Sequence, residues 1–131
     1  MLKPRNWLSL LILTGLPACI FDSGELWRDD LYVVAWIDVG DNITLSYDLG
    51  KGGFIGRVDR RVIAVGSNKK YVVAKQNPTG RGTTINYYII DRAKDHTYAN
   101  TGDVVIGPLS EAEFEKKRVQ LDLPKFSKEF R

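Results

Sequence analysis

The sequence predicts an α+β domain: an antiparallel β-sheet of about five to seven strands built from hairpins, with one C-terminal helix. Three observations carry this. Short runs rich in Val, Ile, Tyr and Trp recur between clusters of Gly, Asn, Asp and Ser, as half-buried strands joined by tight turns require. One run, Asn42–Leu49, alternates without a break, with Ile43, Leu45, Tyr47 and Leu49 on one face and Thr44, Ser46 and Asp48 on the other. A single stretch, from Ser110, carries the start signal of a helix. A small β-barrel with a docked helix is the close alternative.

The elements follow in order. Leu31–Asp38 is a β-branched and aromatic run, and Gly40-Asp41-Asn42 turns it into the alternating strand, giving a first hairpin. Gly50-Lys51-Gly52-Gly53 breaks the pattern, and Phe54-Ile55 resumes it before Gly56. This glycine cluster does not form a G-x-G-x-x-G phosphate loop, because Ile55 stands at the third glycine position and no helix signal follows. Arg61–Gly66 and Tyr71–Gln76 make a second hairpin around Ser67–Lys70, and Asn77–Gly82 is a loop. Ile85–Asp91 is another strand and Asp103–Ile106 a short one. Ser110 and Glu113 then form a capping box, each satisfying a backbone N–H that the first helical turn leaves free. Leu109 and Phe114 suit a hydrophobic staple, Pro124 bounds the helix, and Phe114, Val119 and Leu121 are the residues expected to pack on the sheet.

The N-terminus has a different organisation. Lys3 and Arg5 precede an uncharged apolar run, Trp7–Leu16, and Leu16-Pro17-Ala18 leads into Cys19. A positive start, a short apolar stretch and a small residue before the break describe a removable export signal, and the stretch is too short for a membrane-spanning helix. The segment resembles a bacterial lipoprotein signal, with Leu16 at −3, Ala18 at −1 and Cys19 as the residue that takes the lipid; Pro17 departs from that pattern. Cys19 is the single cysteine of the chain, and thioether lipidation would consume a thiol otherwise left unpaired in an oxidising compartment. A buried free thiol and an uncleaved anchor over Trp7–Phe21 are the alternatives. The expected organisation is a signal peptide over 1–18, a lipid-anchored tether over 19–30 and one β-rich domain over 31–131.

The formal charge is +3, of which Lys3 and Arg5 belong to the signal, so the basic balance says little about nucleic acid, and export makes nucleic acid an unexpected partner. Its distribution says more. Residues 19–50 carry a net −6 and residues 51–81 a net +7. Acidic and basic strands could neutralise each other across the sheet. Alternatively Arg57, Arg60, Arg61, Lys69, Lys70 and Lys75 form a face for an anionic lipid, cell-wall polymer or acidic protein.

Chemistry-bearing patterns are sparse. His96, the single histidine, lies in Asp91-Arg92-Ala93-Lys94-Asp95-His96, without ligand spacing for a metal and with no G-x-S-x-G partner for a Ser-His-Asp triad. Asp95, His96 and Asp103 are the best catalytic cluster an envelope enzyme could recruit. Lys70 or Lys94 would need desolvation to act as a nucleophile, and Asp29-Asp30 would point to opposite faces of an extended chain. No catalytic residue, cofactor or metal is therefore assigned. Trp27, Trp36, Tyr87 and Tyr88 could line a recognition surface, but strand residues of this kind more often fill a core. The strings AVGSNKKYVVAKQ, INYYIID and GPLSEAEFEKK resemble small bacterial proteins of uncharacterised function, a likeness that transfers no catalytic residues. The expected role is a lipid-anchored extracytoplasmic domain of the cell membrane or outer membrane that binds a protein or envelope polymer. An envelope enzyme acting on polysaccharide or peptide, and a basic polymer- or lipid-binding module, are the competing expectations.

Overall fold

The computed structural model describes residues 23–130, which form two antiparallel sheets and one main helix. Sheet A holds β1 (Ser23–Asp29), β2 (Tyr32–Ile37), β3 (Val39–Gly50) and β4 (Gly53–Val58) in sequence order. In sheet B, β8 (Val105–Leu109), β7 (Asn86–Asp91), β6 (Tyr71–Gln76) and β5 (Val62–Ser67) are neighbours, and the two-residue β9 (Lys128–Glu129) closes the β5 edge. The α+β class and the hairpins are as the sequence predicts, except that the first turn comes at Asp38 (φ 67°) and Gly40-Asp41-Asn42, the expected turn, already lies within β3. The strands divide between two open sheets rather than closing into a barrel.

The alternation of β3 sets the layering. Ile43 and Leu45 point inward with Tyr32, Val34 and Val58, and pack on Val62, Val65, Val72, Ala74 and Ile90 of sheet B. These side chains are nearly all β-branched or aromatic, so the two pleated faces interdigitate as in a sandwich. Sheet B is buried on both sides. On its other face Val73, Tyr87 and Ile89 meet Phe114 of α2 (Glu111–Leu121) and Leu123. The order of layers is sheet A, sheet B, helix.

The capping box is present, with the Ser110 hydroxyl accepting from Glu113 N–H at 3.1 Å and Glu113 Oε1 accepting from Ser110 N–H at 2.8 Å. Phe114 is buried and Leu121 packs beside it, but Val119 is 74% exposed, a correction to the expected apolar face. Residues 114 and 121 are seven apart and share a stripe, whereas five residues turn the helix about 140° away from Phe114.

Two other assignments change. Ser23–Asp29, read from sequence as part of the tether, is β1 of sheet A. Its acidic composition hides the strand, and the register shift between Glu25 and Trp27 breaks the period of two. Asp103, assigned to a strand, lies in the short α1 (Thr101–Val104), which runs directly into β8. After α2 the chain crosses sheet B as a strap. A Cβ on Gly66 would sit 1.9 Å from the Lys125 carbonyl oxygen, so only a glycine lets the strap lie this close to β5. Ser127 N–H and Phe130 N–H donate to the carbonyls of Val65 and Ile63, securing it.

Candidate functional site

The most concentrated chemistry lies between the sheets, at Arg57 and Asp95. In the β3–β4 ladder Leu45 opposes Val58 and Ser46 opposes Gly56, which leaves Arg57 as the extra residue of a bulge. A bulge re-aims a side chain, and here it turns a guanidinium into the molecule beside Val58. Both the Arg57 and Asp95 side chains are fully buried. Arg57 grips the carboxylate with two donors, Nη2 to Oδ1 at 2.6 Å and Nε to Oδ2 at 3.1 Å. Its remaining contacts are Nη1 to Thr101 Oγ1 at 2.9 Å and Nη2 to the Ala99 carbonyl at 3.3 Å. Thr101 in turn donates to the Gly56 carbonyl at 3.2 Å.

Tyr32 completes the group, donating its hydroxyl to Asp95 Oδ2 at 2.8 Å. Desolvation by burial first, and the Asp95 hydrogen bond second, push this phenol well above its ordinary range. It stays a protonated donor and cannot serve as a base. The Tyr47 ring stands edge-on to Tyr32 at 5.4 Å, and Arg57 lies 5.7 Å from its centroid. Arg57, Tyr32 and Tyr47 belong to sheet A and Asp95 follows β7 of sheet B. Chemically the arrangement is a bidentate, charge-assisted clamp between layers.

A second link stands nearby. Asp29 accepts from Ser67 Oγ at 2.6 Å and from Arg92 Nη1 at 2.8 Å, and Arg92 lies over the Tyr32 ring at 5.2 Å. The Ser67 hydrogen bond, followed by that of Arg92, holds the Asp29 carboxyl below its ordinary 3.8. A carboxyl depressed on folding stabilises the fold above its unfolded value, and that contribution is lost as pH falls through the lower folded value. Asp29→Asn is therefore expected to lower the melting temperature at pH 7 and to have a smaller effect near about pH 3, where the wild type has begun to lose the same link. Thermal melts of both proteins at the two pH values check this; an equal effect at both would separate Asp29 from acid stability.

Both links sit inside one sequence unit. A family model described as Protein of unknown function (DUF3997) matches residues 29–128. The chain belongs to this family. The match begins on Asp29 at the end of β1 and ends on Lys128, the first residue of β9, so it takes in both inter-sheet links of this DUF3997 domain. No curated protein and no solved structure matches the chain.

The residues singled out from the sequence fall in several places. Asp95, His96 and Asp103 do not converge: the Asp95 carboxylate faces Arg57 in the interior, while His96 is exposed and its Nδ1 accepts from Tyr98 N–H at 3.1 Å. Asp103 is exposed on α1. Asp91 caps the 3-10 turn at Arg92–Lys94. Among the described residues no group of His, Cys, Asp and Glu is placed to hold a metal ion. Cys19 lies outside the described residues, and no described helix is long and apolar enough to cross a membrane.

The six basic residues do not form one face either. Arg57 is buried in the clamp. Arg60 and Arg61 lie at one end of the β5–β6 hairpin and Lys69 and Lys70 at its turn, about 20 Å apart along the strands. Lys75 lies across sheet B's helix side, 4.8 Å from the centroid of Phe126 and 5.7 Å from that of Tyr87. Of the aromatics, Tyr87 packs on Phe114, and Trp27, Trp36 and Tyr88 border the inter-sheet core.

What sequence reasoning missed is a surface. The outer face of sheet A has no element over it among the described residues and forms a trough of about 350 Å³. It is lined by the small side chains Ala35, Thr44 and Ser46 and by the apolar Val33, Ile37 and Phe54. Ile37 is 42% and Phe54 52% exposed. At one end Arg28 is tied to Glu25 and Asp48, each at 3.1 Å. The signal was present in the small residues of β3's wet face, but a polar alternating face does not announce whether it is flat or hollow.

Proposed function

We propose that the chain is a lipid-anchored binding domain of the bacterial envelope, exported, held at the membrane through Cys19, and acting by contact with a macromolecular partner. The observation that supports this reading is the spatial separation of charge. Residues 23–58, which make up sheet A, carry a net −3, and residues 59–130, the half with sheet B and α2, a net +4. The groups best suited to chemistry, Arg57, Asp95, Tyr32, Asp29 and Arg92, are engaged in joining the sheets. On the basic half Lys69, Lys70, Lys94 and Lys116 are exposed, and these are the charges available to an acidic partner.

Cys19→Ser is expected to move the protein from the membrane to the soluble fraction, or to leave an unprocessed precursor; unchanged membrane retention of a processed chain would remove the anchor. Affinity capture of the tagged full-length protein from detergent-solubilised membranes, over a salt titration, tests the partner. A discrete protein partner that survives high salt identifies a packed protein interface. Binding of anionic material that disappears with salt, and with the Lys69→Glu/Lys70→Glu pair, favours the polymer-binding reading. Absence of both would overturn binding as the function.

A further inference from the structure

We infer that the outer face of sheet A is the membrane-facing side of this domain, its apolar trough seated on the bilayer surface. The inference rests on the reading of Cys19 as the lipidated residue. Ser23, the first described residue, itself lines the trough. Only Ile20, Phe21 and Asp22 separate it from Cys19, so a fully extended connection reaches about 14 Å. A lipid held in the bilayer therefore keeps this edge of sheet A close to the headgroups. The trough runs from that edge across β2 and β3 to Phe54 on β4, again about 14 Å at the spacing of neighbouring strands. The most exposed apolar side chains around it, Ile37 and Phe54, are thus within reach of the interface. The helix layer lies beyond sheet B, on the far side of the sandwich.

The chemistry of the face specifies the surface it fits. The cation bordering the trough, Arg28, is already held by Glu25 and Asp48, which leaves that flank with an acid in excess. Such a face suits hydrocarbon and zwitterionic headgroups and is repelled by anionic ones. The basic half then points into the compartment, where a partner can meet it.

Cys19 is occupied by its lipid in the processed protein, so a second cysteine can be labelled selectively. Phe54→Cys and Lys116→Cys, each in the full-length lipidated chain and carrying an environment-sensitive fluorophore, are reconstituted on phosphatidylcholine vesicles containing spin-labelled lipid. The label at residue 54 is expected to be quenched by the lipid about threefold or more above the label at residue 116, and to be shielded from iodide in the water. Equal quenching and equal iodide access at the two positions, on protein that floats with the vesicles, would overturn the inference while leaving the anchor intact. Protein that fails to float, or Cys19→Ser protein that has lost residues 1–18 and still floats equally well, would refute the anchor and this inference with it. Replacing a third of the lipid by phosphatidylglycerol should weaken quenching at residue 54; a gain there, or a shift of quenching to residue 116, would assign the basic half to the membrane instead.

Discussion

Replacing Arg57 with alanine is expected to cost the folded state about 3–5 kcal/mol, because it leaves the Asp95 carboxylate buried without its counter-charge. The reasoning depends on both side chains being fully enclosed. A surface pair at the same distance would contribute about 0–1 kcal/mol. The Arg57→Met/Asp95→Asn pair removes both charges and keeps an oxygen for the Tyr32 hydroxyl, so it should recover at least about half of that loss. Urea unfolding of the three proteins measures both quantities. A loss below about 1 kcal/mol for Arg57→Ala would mean that water reaches Asp95 and that the clamp does not hold the sheets.

Phe114→Ala should have an effect of similar size, about 3–5 kcal/mol, through a different route. Phe114 is 1% exposed and meets the rings of Tyr87 at 4.8 Å and Phe126 at 5.6 Å. It is the one fully buried side chain of α2, so the helix loses its hold on sheet B along with the ring. Hydrogen exchange separates this from general destabilisation. Amides of α2 should approach the protection of a fraying end while those of β2 and β3 keep a clear margin above them. Uniform loss across both sheets would show that helix and sandwich unfold as one unit.

How much of this was legible in the sequence follows from the range of each interaction. The β5–β6 hairpin, the alternation of β3 and the capping box of α2 are written in neighbouring residues, and all three are found in place. The division into two sheets is not, because it depends on which of several similar apolar faces meet. Arg57 illustrates the difficulty best. Counted in sequence, it belongs to a basic run; in space, a one-residue bulge turns it inward to a carboxylate from the far side of the chain. Asp95 and His96 are neighbours in sequence, yet adjacent residues of an extended segment face opposite ways. Val119 is apolar but stands about 140° around the helix from Phe114, so its apolar character alone does not place it on the sheet. The trough was invisible because hollowness depends on the size of neighbours across strands rather than along one.

The strap that carries β9 has a consequence for the order in which the molecule is made. Sheet A is a simple meander whose strands pair with the next in line, so it can form from its own short segment. Strand β5 receives its second partner only from residues 128 and 129, near the far end of the chain. Until those residues are synthesised, one of the most apolar strands of the protein presents an open row of amides and carbonyls to any neighbour. The interval between the birth of β5 and the arrival of the tail is thus the window in which nascent chains can pair with one another, and the tail closes it by doing what a second molecule would otherwise do.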